Sequence, residues 1–332
     1  MTVVADAFDP TFLISDYGDV EAEVAACRKQ AAVFDFSFMS VARVYGPEVL
    51  EVIAQLTDRD LGGLNDGRIR YALCRDSGGW LRSDLTIWKE NANSFLVMSG
   101  LGQEISELAA TIEIQSEDVV VYSLQGPGSL LALNGLGDVA RLETLPYYGF
   151  TRLDIAGAEC LVGRLGYTGE LGFEIVAPAK DGKRLWQNFT ARARPAGFAA
   201  ADCLRIEAGF VLFANEFRLP VTAVEAGLGA FAGNDPVPPR HRLVCFCAES
   251  HPSPELSHPP KSLAAPEPGT ITVTSSCYSA AAGGILGLGY VPFEEAEVNR
   301  TFIDPGGRFK NVRTVTMAFY DTAKRRPRAA WS

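Results

Sequence analysis

Arg164-Leu-Gly-Tyr-Thr-Gly-Glu-Leu-Gly-Phe-Glu174 places three glycines, a phenol and two carboxylates in eleven consecutive positions. Glycine permits close backbone approach and positive φ, and Phe173-Glu-Ile-Val176 resumes the alternation of a strand. The stretch therefore reads as strand, tight loop, strand. On spacing alone its plainer meaning is a Gly-rich hairpin whose carboxylates face water.

Working outward, the chain before it alternates helices and strands. Residues 20–33 carry helix formers with an apolar stripe and lead into Phe34-Asp-Phe-Ser-Phe-Met39. Val41–Tyr45 is a strand pattern, and Gly46-Pro47 opens a helix through about Leu56, with proline in the tolerated first turn. Arg70–Cys74 and Leu81–Trp88 form a hairpin pattern around Asp76-Ser-Gly-Gly79, followed by a strand at Ser94–Ser99 and a helix over 102–112. Val119–Leu124 and Gln125-Gly-Pro127 repeat the strand, Gly-Pro, helix order, which hints at a duplicated α+β unit. Two helices are expected over 182–193 and 199–210. From about Gly233 prolines punctuate short strands near 243–248, 270–275, 286–291 and 314–320. We place a domain boundary there, giving residues 1–233 and 234–332.

Composition narrows the function classes. A formal charge of −10 would repel nucleic acid and anionic membranes unless a basic patch intervened. Lys324-Arg-Arg-Pro-Arg328 is such a patch, but it follows the last strand pattern and reads as a frayed tail. The start, Met1-Thr-Val-Val-Ala-Asp-Ala-Phe-Asp9, lacks the pattern of a secretory leader. With no long apolar run as well, the expected location is cytoplasmic. The seven cysteines, with only Cys245-Phe-Cys247 close together, lack zinc or redox spacing and read as reduced thiols. All three histidines, His241, His251 and His258, fall after residue 240. Acid–base work in the main body must then use Asp, Glu, Tyr or Lys, with no Ser-His-Asp triad and no His-rich metal site there. No Walker loop or dinucleotide-binding glycine motif is present.

Taken in order, Phe34–Met39, Gly78-Gly-Trp-Leu-Arg-Ser-Asp-Leu85, Leu124-Gln-Gly-Pro127 and Gly166–Glu174 resemble the glycine-cleavage T-protein (aminomethyltransferase) family. That family includes folate-dependent demethylases. The resemblance continues through Cys203-Leu-Arg-Ile-Glu-Ala-Gly209, Val224-Glu-Ala-Gly-Leu-Gly229 and Ala318-Phe-Tyr320. It implies an α+β fold: a three-domain cloverleaf, two interwoven α+β domains around a central folate channel, and a C-terminal β-barrel. It also implies tetrahydrofolate as cofactor and a small-molecule one-carbon donor as partner, with no nucleic acid and no membrane. The expected activity is transfer of a methyl or methylene group from a small amine, thioether or methoxy donor. The alternative is a non-catalytic folate-binding protein of the same fold, or one repurposed for another ligand. The iron–sulfur maintenance branch is disfavoured because its loop cysteine is absent here.

Carried over by position, the resemblance makes Glu174 the pterin anchor, since one carboxylate can accept from an adjacent N–H and amine. Asp84 becomes the acidic group beside the reacting nitrogens. Tyr71, Tyr167, Met39, Trp88 and Met98 become candidates to line the cofactor cavity, where flat or polarizable side chains pack on the ring. For Met39 an ordinary core role is equally open. Arg205 is either ligand-facing or part of a buried ion pair with a partner other than Glu207, which does not face it on a helix. Glu170 is expected to shape the loop. Several positions depart from the family pattern: Gly100 replaces an asparagine, Trp88 a smaller side chain or tyrosine, Ala201 an arginine and Ala230 a tryptophan. Asn234-Asp-Pro-Val-Pro-Pro-Arg240 replaces a lysine-rich linker. These changes point to a donor other than the aminomethyl-lipoyl group.

Overall fold

The computed structural model describes residues 12–112, 114–233, 235, 237–249 and 263–331. His251 and His258, with much of the proline-rich stretch, and the start at 1–9 lie outside the described residues.

In chain order the first elements are α1 (Val20–Lys29), β1 (Ala32–Asp35), β2 (Ser40–Tyr45), α2 (Val49–Ile53), β3 (Arg68–Arg75), β4 (Leu81–Asn91), β5 (Ser94–Ser99), α3 (Gln103–Ala109) and β6 (Ile114–Ser116). Then come β7 (Val119–Gln125), α4 (Ser129–Leu133), α5 (Ala140–Glu143), β8 (Phe150–Ile155), β9 (Ala158–Gly163) and β10 (Gly172–Pro178). They are followed by α6 (Gly182–Thr190), β11 (Arg194–Pro195), α7 (Phe198–Glu207) and α8 (Phe213–Glu216). The last strands are β12 (His241–Glu249), β13 (Thr272–Ser279), β14 (Gly284–Pro292), β15 (Thr301–Phe302) and β16 (Lys310–Val315).

These strands form three sheets, ordered β11-β1-β7-β10-β9-β8, β3-β4-β5-β2-β6 and β13-β14-β12-β16-β15. The class is mixed α+β, as expected. The chain divides into two compact units, one of residues 1–72, 84–201 and 325–332, the other of residues 73–83 and 202–324.

In the first unit the six-stranded sheet buries one face against helices. Val33, Leu124, Phe173, Ile175 and Val162 pack there with Leu185 and Phe189 of α6 and Leu133 of α4. Helix α1 begins at Asp19, whose side chain accepts from the Ala22 N–H, and it ends at Lys29. Ala32 and Val33, expected in that helix, instead belong to β1, opposite Gln125 and Leu124 of β7. Ladder pairing and core burial override the helix preference of alanine here.

In the second unit β12 is flanked by β14 and β16 around Phe246, Val273, Val291 and Val312. The expected C-terminal barrel is corrected: no closed barrel forms among the described residues. The edge strand β15 has two residues and is joined to the segment before β13 only by a bridge between Thr270 and Ile303. At that bridge the Ile303 N–H donates to the Gly269 carbonyl and the Ile271 N–H to the Ile303 carbonyl, both at 3.0 Å. The last strand lies at 310–315, earlier than the expected 314–320.

Candidate functional site

The quoted stretch is the connection between antiparallel strands β9 and β10. Of its glycines only Gly169 takes positive φ, +77°. Gly166 and Gly172 serve by lacking a side chain: a Cβ on either would lie within 2.5 Å of the Gln125 carboxamide. That buried amide donates to the carbonyls of Leu165 (3.1 Å) and Phe173 (3.3 Å) and accepts from Thr168 Oγ1 (3.1 Å). The Leu124-Gln-Gly-Pro127 motif thus supplies the staple around which the loop folds. Glu170 is buried and paired with Arg28 (3.1 Å) and Arg326 (3.5 Å), so it shapes the loop.

Glu174 is treated differently by the same loop. On β10 it stands opposite Ser123 of β7 and Gly163 of β9, on the sheet face away from Phe173 and the helix-covered core. It is 7% exposed, and among the described residues its carboxylate has neither hydrogen bond nor ion pair. Burial alone pushes its pKa up to about 7. The hydroxyl of Ser123 beside it is also buried with no partner among the described residues.

The second sheet of this unit approaches that face through Trp88. A Cβ on Gly163 would sit 2.3 Å from the Trp88 ring, which packs at 5.2 Å on Phe150 and donates its N–H to Thr86 (3.0 Å). Alternation along β4 puts Asp84, Thr86 and Trp88 on one face. Met98 and Leu96 of β5 pair with Thr86 and Trp88 on that same face. Trp88 and Met98 are both fully buried.

Asp84 is half-buried, and Tyr71 of β3 donates to its Oδ2 at 2.7 Å. Its pKa is pushed up to about 6: burial raises it most, the Tyr71 hydrogen bond opposes, and the nearby Glu104 carboxylate raises it further. Glu104 is itself buried and accepts from Ser99 Oγ at 2.7 Å. Burial, then Asp84, holds the Tyr71 phenol well above its ordinary value, with smaller influences from Tyr148 and Tyr167. Tyr167, half-buried in the quoted loop, is thereby placed near Tyr71. Met39 lies half-buried in the turn before β2, whose first residue Ser40 pairs with Ser99 next to Met98.

Tyr148 was not among the sequence-based candidates. Its φ is +59°, a left-handed conformation that costs a non-glycine residue on the order of 1 kcal/mol. Two backbone hydrogen bonds hold it, from the Ile69 N–H to its carbonyl (2.8 Å) and from its own N–H to the Arg164 carbonyl (2.9 Å). It therefore ties the strand of Tyr71 to the start of the quoted loop. After burial and Tyr147, the charges of Glu174 and Asp84 both raise its phenol pKa, so the ring feels both carboxylates. The local signal was Pro146-Tyr-Tyr-Gly149, a turn composition whose two aromatics alternation cannot aim.

The first unit therefore gathers Glu174, Asp84, Tyr71, Tyr148 and Tyr167, with Trp88 and Met98 on the facing sheet. Arg205 lies in the second unit. It is fully buried, bonded to Asp202 (2.8 Å), Glu216 (2.9 Å), Ser275 Oγ (2.6 Å) and the Phe210 carbonyl (3.1 Å). A separate cavity of about 530 Å³ is lined by Arg43, Glu90 and Arg152 among others, but its arginines are already paired with Glu90, Glu117 and Glu159. No group of three or more potential metal ligands occurs among the described residues, and no helix among them is long and apolar enough to cross a membrane.

Comparison with known proteins agrees with this architecture. Residues 10–235 match the family model described as the GCVT N-terminal domain. A probable aminomethyltransferase of Halobacterium salinarum is 30% identical over 341 aligned positions, covering 92% of each chain. The aminomethyltransferase of Saccharopolyspora erythraea is 28% identical, covering 90% of this chain and 89% of its own. The crystal structure of glycine cleavage system aminomethyltransferase T from Bartonella henselae superposes with a TM-score of 0.75 at 20% identity, over 93% of this chain and 91% of that one, a likeness of fold. The chain belongs to the glycine-cleavage T-protein (aminomethyltransferase) family.

Proposed function

We propose that this protein transfers a one-carbon group, methyl or methylene, from a small amine, thioether or methoxy donor to tetrahydrofolate. The observation that carries the reading is Glu174, a buried carboxylate with no protein partner among the described residues, beside a Ser123 hydroxyl that also has none among them. A buried acceptor of this kind is costly unless something completes it. The pterin edge of tetrahydrofolate offers two adjacent N–H donors that suit one carboxylate, so the residues present fit the group. When bound, tetrahydrofolate supplies a secondary amine nitrogen that accepts the one-carbon unit.

The chain's own residues divide the remaining work. Glu174 in its ionised form accepts the two pterin donors and fixes the ring. Tyr71 donates to Asp84 Oδ2, which leaves Oδ1 to face the accepting nitrogen. With its pKa raised to about 6, Asp84 is close enough to neutrality to take up the proton displaced from that nitrogen at physiological pH. Tyr167 and Tyr148 provide flat surface, and the fully buried Met98 and Trp88 back the face from within the protein. Rate enhancement comes mainly from holding donor and acceptor in register.

Calorimetric titration with tetrahydrofolate tests the binding half. Saturable heat is expected, and its absence at high ligand concentration would sink the folate reading. A panel of N-methyl, S-methyl and O-methyl donors, assayed for one-carbon folate, tests the transfer half. Binding without turnover on any class would leave a carrier and not an enzyme.

A further inference from the structure

The basic segment that the sequence presents as a frayed tail is built into the site's unit. Arg325–Ser332 clusters with the first unit, and its described residues straddle the quoted loop. Arg326 pairs with Glu170. Pro327 is buried. The Trp331 ring stacks on Phe173 at 4.9 Å and 16°, against the helix-covered core on the sheet face opposite Glu174. Arg164 lies over the same ring at 5.3 Å and donates to the Ala329 carbonyl. Between these anchors Arg328 sits with its guanidinium 5.6 Å over the ring of Tyr147, and Tyr147 packs edge-on against Tyr148 at 4.8 Å.

The charge pattern this creates is directional. Inside lie Glu174 and Asp84, two carboxylates in a poorly solvated setting. Against the ring of Tyr147, which packs on Tyr148, lies Arg328, which is exposed to solvent. The Tyr147 phenol records both: burial raises its pKa most, Arg328 lowers it and Glu174 raises it. A ligand matched to this arrangement carries hydrogen-bond donors at the end that enters and a carboxylate at the end that stays out. A guanidinium is suited to that second task because its planar fork meets a carboxylate with two parallel bonds.

Resting on the folate reading above, we propose that Arg328, held over Tyr147 by the anchored segment Arg325–Trp331, binds the glutamate carboxylates of tetrahydrofolate. The segment so acts twice: Trp331 and Arg326 hold the loop that carries Glu174, and Arg328 reads the far end of the ligand.

The test compares two ligands that share the ring but not the tail, tetrahydrofolate and 6-methyltetrahydropterin, on wild-type protein, Arg328→Gln and Arg328→Lys. The expected result is roughly tenfold or greater weakening of tetrahydrofolate binding by Arg328→Gln, partial recovery in Arg328→Lys, and no change for the tetrahydropterin. Added salt should weaken tetrahydrofolate binding to wild type more than to Arg328→Gln. Unchanged tetrahydrofolate affinity in Arg328→Gln overturns the proposal and leaves the folate reading standing. Equal weakening of both ligands also overturns it, since that result assigns Arg328 to holding the loop. If wild type binds neither ligand, the folate reading itself fails.

Discussion

Replacing Glu174 with glutamine should make the unliganded protein gain stability relative to wild type as pH rises. The carboxyl pKa is 4.5 in the ordinary state and about 7 in the folded protein. Because the folded value is the higher, the folded state holds more protons between those two values, and stability falls as pH rises through them. At pH 5 ionisation in the unfolded chain has begun and the penalty is about 1 kcal/mol. At pH 8 it has reached about 3 kcal/mol, the full separation of about 2.5 pKa units at 1.36 kcal/mol each. Glutamine keeps the shape and a polar head but does not titrate. Whatever fixed cost its buried amide carries is the same at both pH values and cancels in the difference.

Urea unfolding of both proteins at pH 5 and pH 8 gives the quantity directly. The stability of Glu174→Gln relative to wild type should improve by about 2 kcal/mol between the two pH values. Asp84 titrates in the same window but is present in both proteins, so the subtraction removes it. A relative stability that does not change with pH would refute the reasoning, because it would mean that Glu174 ionises as it does in water. Tetrahydrofolate at saturating concentration should abolish most of wild type's loss of stability between pH 4.5 and about 7, since the bound ring's donors favour the carboxylate.

Three further outcomes follow from single contacts. Tyr71→Phe removes the hydrogen bond that lowers the Asp84 pKa, so the acid limb of the rate profile should move upward from about 6; a downward move would contradict the assignment. Arg205→Ala leaves Glu216, fully buried, without its cation, and should cost about 3–5 kcal/mol by denaturant unfolding; a loss under 1 kcal/mol would show that the network is solvated. Gly163→Ala forces a Cβ into the Trp88 ring and should cost about 1–3 kcal/mol, recoverable in part by Trp88→Leu in the same chain. An additive double variant would show that the two positions are not in contact.

The elements that could be read from sequence were those whose cause is local. The β3–β4 hairpin announces itself through Asp76, whose Oδ1 accepts from the N–H groups of Gly78 and Trp80, and the strand-then-helix order at Gly46-Pro47 and Gly126-Pro127 is present at both sites. What could not be read was set by distant partners. Gly166 and Gly172 are explained by an amide about forty residues upstream, and the segment after Lys324 is ordered by Trp331 meeting Phe173 and by Arg164. Nothing in Arg-Arg-Pro-Arg marks it as folded, because a run of like charges is equally at home in water. The strands expected in a barrel are present, but among the described residues they form a five-stranded sheet whose two-residue edge strand β15 is followed by a single bridge, Ile303 to Thr270.

Glu170 and Glu174 show why partner accounting separates what spacing leaves merged. They lie four positions apart in one loop-to-strand stretch, and both are nearly excluded from solvent, at 4% and 7%. Composition, exposure and neighbourhood in sequence give no ground for assigning them different roles. Their counterions do. Glu170 has two arginines from distant parts of the first unit, and its ion pairs close the loop. Glu174 has none among the described residues, and beside it stands the buried Ser123 hydroxyl, also without a partner among them. A buried carboxylate without a counterion is costly, and that cost is the ground for proposing Glu174, and not Glu170, as the group that meets a ligand. The same accounting places Arg205, enclosed by two carboxylates and a hydroxyl, with Glu170 and not with Glu174.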